Sequence, residues 1–387
     1  MTTDPAGLRR QMVDAVTADE QLTRWRAALT PWLPTLHTVP RHLFIPNTVW
    51  VDNDADTDPV LVPLHREQDP ERWLSLAYDT NEGLATQVDD GQSGPGLPTS
   101  SASGPVIVAV MLAALDAEEG HQVLEIGTGT GYNAALLAHR LGADRVTSVE
   151  VDPDVAARAR KALADAGYGG VRVATGDGAG GYPPRAPYDR VVATAACHQI
   201  PYPWVAQTRP GGRVLLPWAD TYSGGLVALT VAGNGIASGG IVAEASFMAL
   251  RDQRDRGAVR PEIADPAQDH GTQTTVTTLH PHEITGPHGA RLAVGRRVPG
   301  CRWHYWPWEE HDPVGVLWLV DPWGSWAKLT HDTPDADQDE FPVQQHGPRR
   351  LWDEVVAAHQ LWVDHGRPGA DRWRFTVTPD GQRIELK

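Results

Sequence analysis

At 387 residues and 42.0 kDa, with 41% hydrophobic residues, the chain is long enough for two or three folded domains with cores of their own. A formal charge of −16 and a pI near 5.4 argue against broad binding to a phosphate backbone, which needs a basic face that releases counterions, so a nucleic-acid substrate is not expected. Only Cys197 and Cys301 are present, which leaves no disulfide framework or Cys-rich metal site and fits a reducing cytosol. In chain order, Leu8, Met12, Val16, Leu22, Trp25 and Leu29 recur at helical spacing among charges and predict one or two amphipathic helices. The N-terminus lacks a signal-peptide core. Val39 to Pro46 (VPRHLFIP) sets a proline near each end of a basic and apolar octet, forcing extended or turn structure; read by physics alone, Arg41 and His42 are surface or cap residues.

Asp89 to Ser101 is rich in Gly, Ser and Pro, as a mobile gating loop would be. Ser103 precedes Gly104 and Pro105 and can cap a helix there. The apolar run Pro105 to Leu115 is too short to span a bilayer, so no membrane association is expected and the protein is read as cytoplasmic. Next comes QVLEIGTGTGY, Gln122 to Tyr132. Val123, Leu124 and Ile126 suit a buried parallel strand, and Gly127, Gly129 and Gly131 let the backbone turn tightly and come close to a ligand, with backbone N–H groups aimed at it from a helix N-terminus. A second strand ends at Glu150, whose carboxylate can accept both hydroxyls of a ribose. After a helix from Asp154 to Ala166, VRVATGDG brings Asp177 and Gly178 to the end of a third strand, where Asp177 either meets an adenine edge or caps a turn. YDRVVATAA and RPGGRVLLPW supply two more strands. This alternation predicts a doubly wound α/β sheet with its ligand at the carboxyl ends of the strands.

The spacing Glu125-x-Gly127-x-Gly129-x-Gly131 resembles motif I of the class I AdoMet-dependent methyltransferases rather than a dinucleotide fingerprint. VPRHLFIP, AYDT at 77–80, LEIGTGTGYNAALLA at 124–138, GDG at 176–178, APYDRVVATAA at 186–196 and RPGGRVLLP at 209–217 occur in the order seen in protein-L-isoaspartate O-methyltransferases, which the chain resembles over about residues 36–220. The resemblance implies methyl transfer from S-adenosyl-L-methionine (AdoMet) to an aspartyl carboxylate in a polypeptide. It assigns Ser101, Glu125, Gly127, Thr128, Gly129, Glu150, Asp177 and Gly178 to AdoMet, and Ser103 to the acceptor carboxylate. Where the family usually reads Thr-Ile-Ser-Gln-Pro, this chain reads Ser101-Ala102-Ser103-Gly104-Pro105, which unsettles isoaspartate specificity.

Residues 232–300 show one plausible strand, TQTTVTTL. From Cys301 onward lie nine of the fifteen Trp residues, which argues for a folded module with its own core rather than a disordered tail. Leu351, Trp352, Val355, Val356 and Trp362 stripe a helix from Arg349 to His365, and WRFTVTPDGQRIEL reads as a hairpin. His304, His311, Glu309 and Glu310 match no metal-ligand spacing, and Asp332 to Glu340 reads as a solvated acidic loop. The expected organisation is a helical and loop cover (1–98), an AdoMet-binding core (99–239) and an additional α+β, Trp-rich substrate-recognition domain (240–387). Extended relatives of this kind resemble the methyltransferases that tailor graspetides, ribosomally made precursor peptides cyclised by an ATP-grasp ligase, where an esterified Asp closes to an aspartimide. The other reading is repair of L-isoaspartyl residues in damaged proteins.

Overall fold

The apolar runs become strands of three sheets in a computed structural model that describes residues 4–53, 60–80, 82–254, 271–306, 314–331 and 339–387. Strands β1 (Thr48–Asp52), β2 (Leu61–His65), β3 (Leu84–Val88) and β4 (Pro98–Ala102) pair antiparallel in the order β2-β1-β3-β4. Then come β5 (Val123–Ile126), β6 (Val146–Glu150), β7 (Arg172–Thr175), β8 (Tyr188–Ala193), β9 (Thr208–Ala219), β10 (Gly224–Val231) and β11 (Ala237–Ala243). In the sheet, β5 lies between β6 and β8, and β7, β6, β5, β8 and β9 run parallel to one another. The chain winds one way from β5 through β6 to β7 and the other way through β8 to β9. The carboxyl end of β5 is therefore the switch point, where an open α/β sheet leaves a crevice for a ligand.

Two compact units divide the chain. Unit 1 comprises Met1–Pro217, Leu226–Asp252 and Phe375–Ile384, and unit 2 comprises Trp218–Gly225, Gln253–Arg374 and Glu385–Lys387. In unit 1 the predicted amphipathic helix is Pro5–Ala18, capped by the Asp4 carboxylate, and its Met12, Val13 and Val16 face the core. Helix Pro105–Leu115 is apolar on nearly every side because it is buried on nearly every side. The Gly-, Ser- and Pro-rich stretch 89–101 forms the turn of the β3–β4 hairpin and most of β4. Asp89 and Asp90 adopt left-handed φ of 48° and 53°, which short acidic side chains tolerate, and the Asp89 carboxylate accepts from Gly96 N at 2.8 Å and Leu97 N at 3.1 Å.

Unit 2 is built on β12 (Gln273–Thr277), β13 (Arg302–Trp306), β14 (Gly315–Val320), β15 (Trp326–His331) and β16 (Phe341–His346), ordered β12-β16-β15-β14-β13 with every pair antiparallel. Leu317, Leu319, Ala327, Leu329, Phe341 and Val343 share one face and pack on Leu351, Trp352 and Val355 of helix Leu351–Asp364. The tail does have a core of its own, but its centre is mainly aliphatic, with Trp352 the one buried Trp of that cluster among the described residues. Trp306 and Trp323 are exposed. The final hairpin, β17 (Trp373–Thr378) and β18 (Gly381–Leu386), extends the nine-stranded sheet beside β11 rather than joining the five-stranded one. Trp308, His311, Glu309, Glu310 and most of the acidic loop, 332–338, lie outside the described residues. No helix among the described residues is long and apolar enough to cross a membrane.

Candidate active site

At the switch point the backbone reverses through three left-handed glycines, Gly127 at φ 91°, Gly129 at 53° and Gly131 at 88°. The conformation and the space both demand glycine at 127, because a Cβ there would lie 2.6 Å from Thr194 Oγ1. Thr194, just beyond β8, donates to the carbonyls of Ile126 at 3.1 Å and Gly127 at 2.6 Å and so holds the turn from the next strand. The glycine N–H groups do not point outward as expected. Gly127 N donates to Val149 O at 2.8 Å, Gly131 N to Thr128 O at 2.9 Å, and Gly129 N to Glu150 Oε2 at 2.9 Å. So tight a turn brings these donors onto protein acceptors, and it is the Cβ-free surface of the loop that a ligand can approach.

Glu150, at the carboxyl end of β6, is buried. Besides Gly129 N on Oε2, it accepts from Asp152 N on Oε1 at 3.1 Å. Each oxygen thus keeps a lone pair for a hydroxyl donor, and among the described residues no cation pairs with the carboxylate, which suits a ribose diol and a cationic ligand. Glu125 is wholly buried. Its Oε1 accepts from Asn133 Nδ2 at 2.8 Å and its Oε2 from Ser148 Oγ at 2.5 Å, and the Ser148 hydroxyl in turn meets Thr128 Oγ1 at 2.6 Å. Glu125 and Thr128 are therefore linked beneath the turn. Burial drives the Glu125 carboxyl up to about 7, against the lowering pull of Ser148 and Asn133.

Asp177 is exposed, and its Oδ1 accepts from Ala179 N at 2.9 Å, capping the single turn Gly178–Gly180. Gly178 sits against β5, where a Cβ would come within 2.5 Å of Ile126 Cγ2, and its carbonyl accepts from Trp204 Nε1 at 2.8 Å. Ser101 reaches the turn through its backbone: its carbonyl oxygen lies 3.6 Å from where a Cβ on Gly129 would be. Ser103 does not cap the helix. With Pro105 as the first helical residue the cap position falls to Gly104, which makes no side-chain cap bond, and the Ser103 hydroxyl has no hydrogen-bond partner among the described residues.

Two features escape a reading of the sequence. Arg41 is not at the surface. It is 1% exposed, donating from Nε to Ala77 O at 2.8 Å and from Nη2 to Ala102 O at 3.1 Å, and so braces AYDT and the residue before Ser103. Phe44 and Ile45, buried beside it, are the signal that the octet is core. Asp152 caps helix Pro153–Asp165 and also accepts from Gln87 Nε2 and from Arg251, each at 3.2 Å. Burial raises its pKa, but bonds from Val155 N, Gln87, Arg251 and Asp154 N outweigh that and hold the carboxyl below its usual range. The Asp-Pro pair announces the cap, whereas the partners 65 and 99 residues away leave no local trace.

A family model described as Protein-L-isoaspartate(D-aspartate) O-methyltransferase matches residues 77–255. The chain is similar to the protein-L-isoaspartate O-methyltransferase of Methanoculleus marisnigri, 41% identical over 185 residues that cover 48% of this chain and 67% of that protein. It is similar also to protein-L-isoaspartate O-methyltransferase 2 of Archaeoglobus fulgidus, 36% identical over 187 residues that cover 48% and 69%. A solved structure described as a protein-L-isoaspartate O-methyltransferase superposes with a TM-score of 0.51 at 18% identity, covering 99% of this chain and 100% of that one. That likeness speaks to fold: a class I AdoMet-dependent methyltransferase fold with a further β-rich region.

Proposed function

Because the chain belongs to the protein-L-isoaspartate O-methyltransferase family, we propose that it esterifies an ordinary aspartyl side chain in a ribosomally made peptide already cyclised by an ATP-grasp ligase. The chain is a carboxyl O-methyltransferase with AdoMet as cofactor, acting on a protein or peptide. In the proposed reading the enzyme is cytoplasmic, Glu150 takes the ribose hydroxyls, the glycine turn and Ser101 line the methionine side, and Asp177 and Gly178 flank the adenine. Glu125 and Thr128 hold the turn from beneath. Ser103 orients the acceptor carboxylate.

When bound, AdoMet supplies a methyl group on a sulfonium, which a carboxylate oxygen takes in line while the thioether leaves. An aspartyl carboxyl with an ordinary pKa near 3.9 is already ionised at neutral pH, so no general base is required and the protein's work is alignment and exclusion of water. The hydroxyl of Ser103 fits that task because no hydrogen bond from the described residues competes for it, the cap position being held by Gly104. Attack of the next backbone nitrogen on the new ester, with methanol leaving, closes a succinimide.

The observation that carries the tailoring reading is unit 2. Every residue assigned to methyl transfer lies in unit 1, yet unit 2 has its own core and exposes Trp306 and Trp323, side chains suited to anchoring one peptide shape. The altered Ser101-Ala102-Ser103-Gly104-Pro105 segment points the same way. Repair of isoaspartyl residues is the second reading, favoured by the names of the relatives and by a structure so described that covers 99% of this chain. To separate them, the full chain and AdoMet are offered a generic isoaspartyl peptide, a linear Asp-containing precursor peptide of an ATP-grasp cyclase, and that precursor after cyclisation. Mass spectrometry should show a methyl gain and then a net loss of one water for the cyclised form alone. Methylation of the isoaspartyl peptide with none on the cyclised precursor selects repair.

A further inference from the structure

The segment after β11 crosses the mouth of the site. Ala196 N donates to Met248 O and Leu250 N donates to Ala196 O, both at 2.8 Å, so residues 248–250 pair with the chain three residues past the carboxyl end of β8. One residue later, Arg251 lies 3.2 Å from Asp152 Oδ2, two residues past the carboxyl end of β6. Since β5 lies between β8 and β6, the strap from Met248 to Arg251 spans the carboxyl end of β5, where the glycine turn sits. Arg251 also lies 3.0 Å from Asp90 Oδ1 at the tip of the β3–β4 hairpin. Within that hairpin, Thr99 Oγ1 accepts from Asp90 N at 3.0 Å and donates to Gln87 Oε1 at 3.2 Å, while Gln87 reaches Asp152.

We infer that Arg251 is a positioning residue, a latch that joins the strap and the hairpin to Asp152 and so retains AdoMet in the closed site. The inference rests on the reading that Glu150 and the glycine turn hold AdoMet. Asp90 and Asp152 are both acidic in a chain of formal charge −16, and without the guanidinium between them the hairpin tip and the cofactor edge repel each other. Asp152 is coupled directly to the proposed ribose site because its own N–H donates to Glu150 Oε1. Opening the latch therefore frees the hairpin, which carries Ser101 on β4, and loosens the backbone donor that orients Glu150. The Arg251 side chain is 28% exposed, so salt weakens the latch.

The test follows release of labelled AdoMet from the full chain into an excess of unlabelled AdoMet, for wild type, Arg251→Ala, Arg251→Lys and Asp90→Asn. Release from Arg251→Ala should be at least about tenfold faster, with KM for AdoMet rising more than kcat falls. Arg251→Lys, which keeps the charge, should recover most of the retention. Added salt should speed release from wild type but hardly from Arg251→Ala. Unchanged release and KM in a folded Arg251→Ala protein overturn the latch, and if that variant does not fold, the same comparison on Asp90→Asn, altered at the hairpin tip, decides. Wild type that binds no AdoMet by calorimetry fails the underlying reading instead.

Discussion

Two buried acids at strand ends, one in each unit, show what separates a site from a scaffold. Asp321 follows β14 in unit 2. Its Oδ1 accepts from Trp323 N at 3.0 Å and Ser325 N at 2.8 Å, and its Oδ2 meets Arg349 at 3.2 Å. The turn and the guanidinium use it up. Glu150 ends β6 in unit 1 and accepts from two backbone N–H groups, one per oxygen, with no cation in contact among the described residues. Both are buried carboxylates, yet one is neutralised by the fold and the other is held in a fixed orientation with acceptor capacity left over. A buried anion without a counter-charge is costly unless something else is meant to meet it.

The harshest way to break this comparison is to remove the turn that Glu150 faces. Gly127→Ala puts a methyl against Thr194 at a φ of 91° that alanine resists, and AdoMet affinity by calorimetry should fall by more than about a hundredfold. Exchanging the roles of the two acids is gentler. Glu150→Ala should weaken AdoMet by roughly 2 to 4 kcal/mol, since charge-assisted bonds to the ribose are lost. Asp321→Ala should cost about 3 kcal/mol of stability in chemical denaturation and leave AdoMet affinity unchanged, because the donors it strands belong to the fold. If Asp321→Ala abolishes AdoMet binding in a folded protein, the distinction between the two acids is wrong.

Glu125 sharpens the comparison through pH. Its folded pKa of about 7 stands above the ordinary 4.5, so between those values the folded chain keeps a proton that the unfolded chain has released. Its contribution to stability therefore falls as pH rises from 4.5 to 7 and is flat above that window. The stability difference between wild type and Glu125→Gln should change by on the order of 2 to 3 kcal/mol across the same window, read by denaturant melts at each pH. A constant difference would mean that Glu125 is ionised throughout. The smallest expected change is at Ser103. Ser103→Ala should lower kcat about tenfold while the melting curve moves by less than about 0.5 kcal/mol, since Gly104 and not Ser103 occupies the cap position. A clear loss of stability with full turnover would make the hydroxyl structural.

The glycine turn, the strand that ends at Glu150 and the alternation of strands with helices were legible because each depends on residues adjacent in the chain: an apolar run, a turn that requires glycine, an acid at a strand end. The capping role that the sequence allows Ser103 falls one position later, to Gly104, because Pro105 is the first helical residue. What stayed hidden depends on distant partners. Arg41 gave no sign of its burial beyond its apolar neighbours, and the link from Asp152 to Arg251 exists only once the strap has crossed the sheet. The C-terminal hairpin was readable as a hairpin, but its place beside β11 was not, because alternation fixes which face is buried and says nothing about which edge is joined. Trp content likewise pointed to a folded tail without revealing that aliphatic residues fill its centre.

The most direct test of the proposed function is a competition in one vessel, with limiting labelled AdoMet, the full chain, and equal amounts of a generic isoaspartyl peptide and the cyclised precursor. Tailoring predicts that label passes transiently into the cyclised precursor, is lost as methanol, and leaves an aspartimide, with the isoaspartyl peptide unlabelled. Label accumulating on the isoaspartyl peptide while the cyclised precursor keeps its mass would contradict the account.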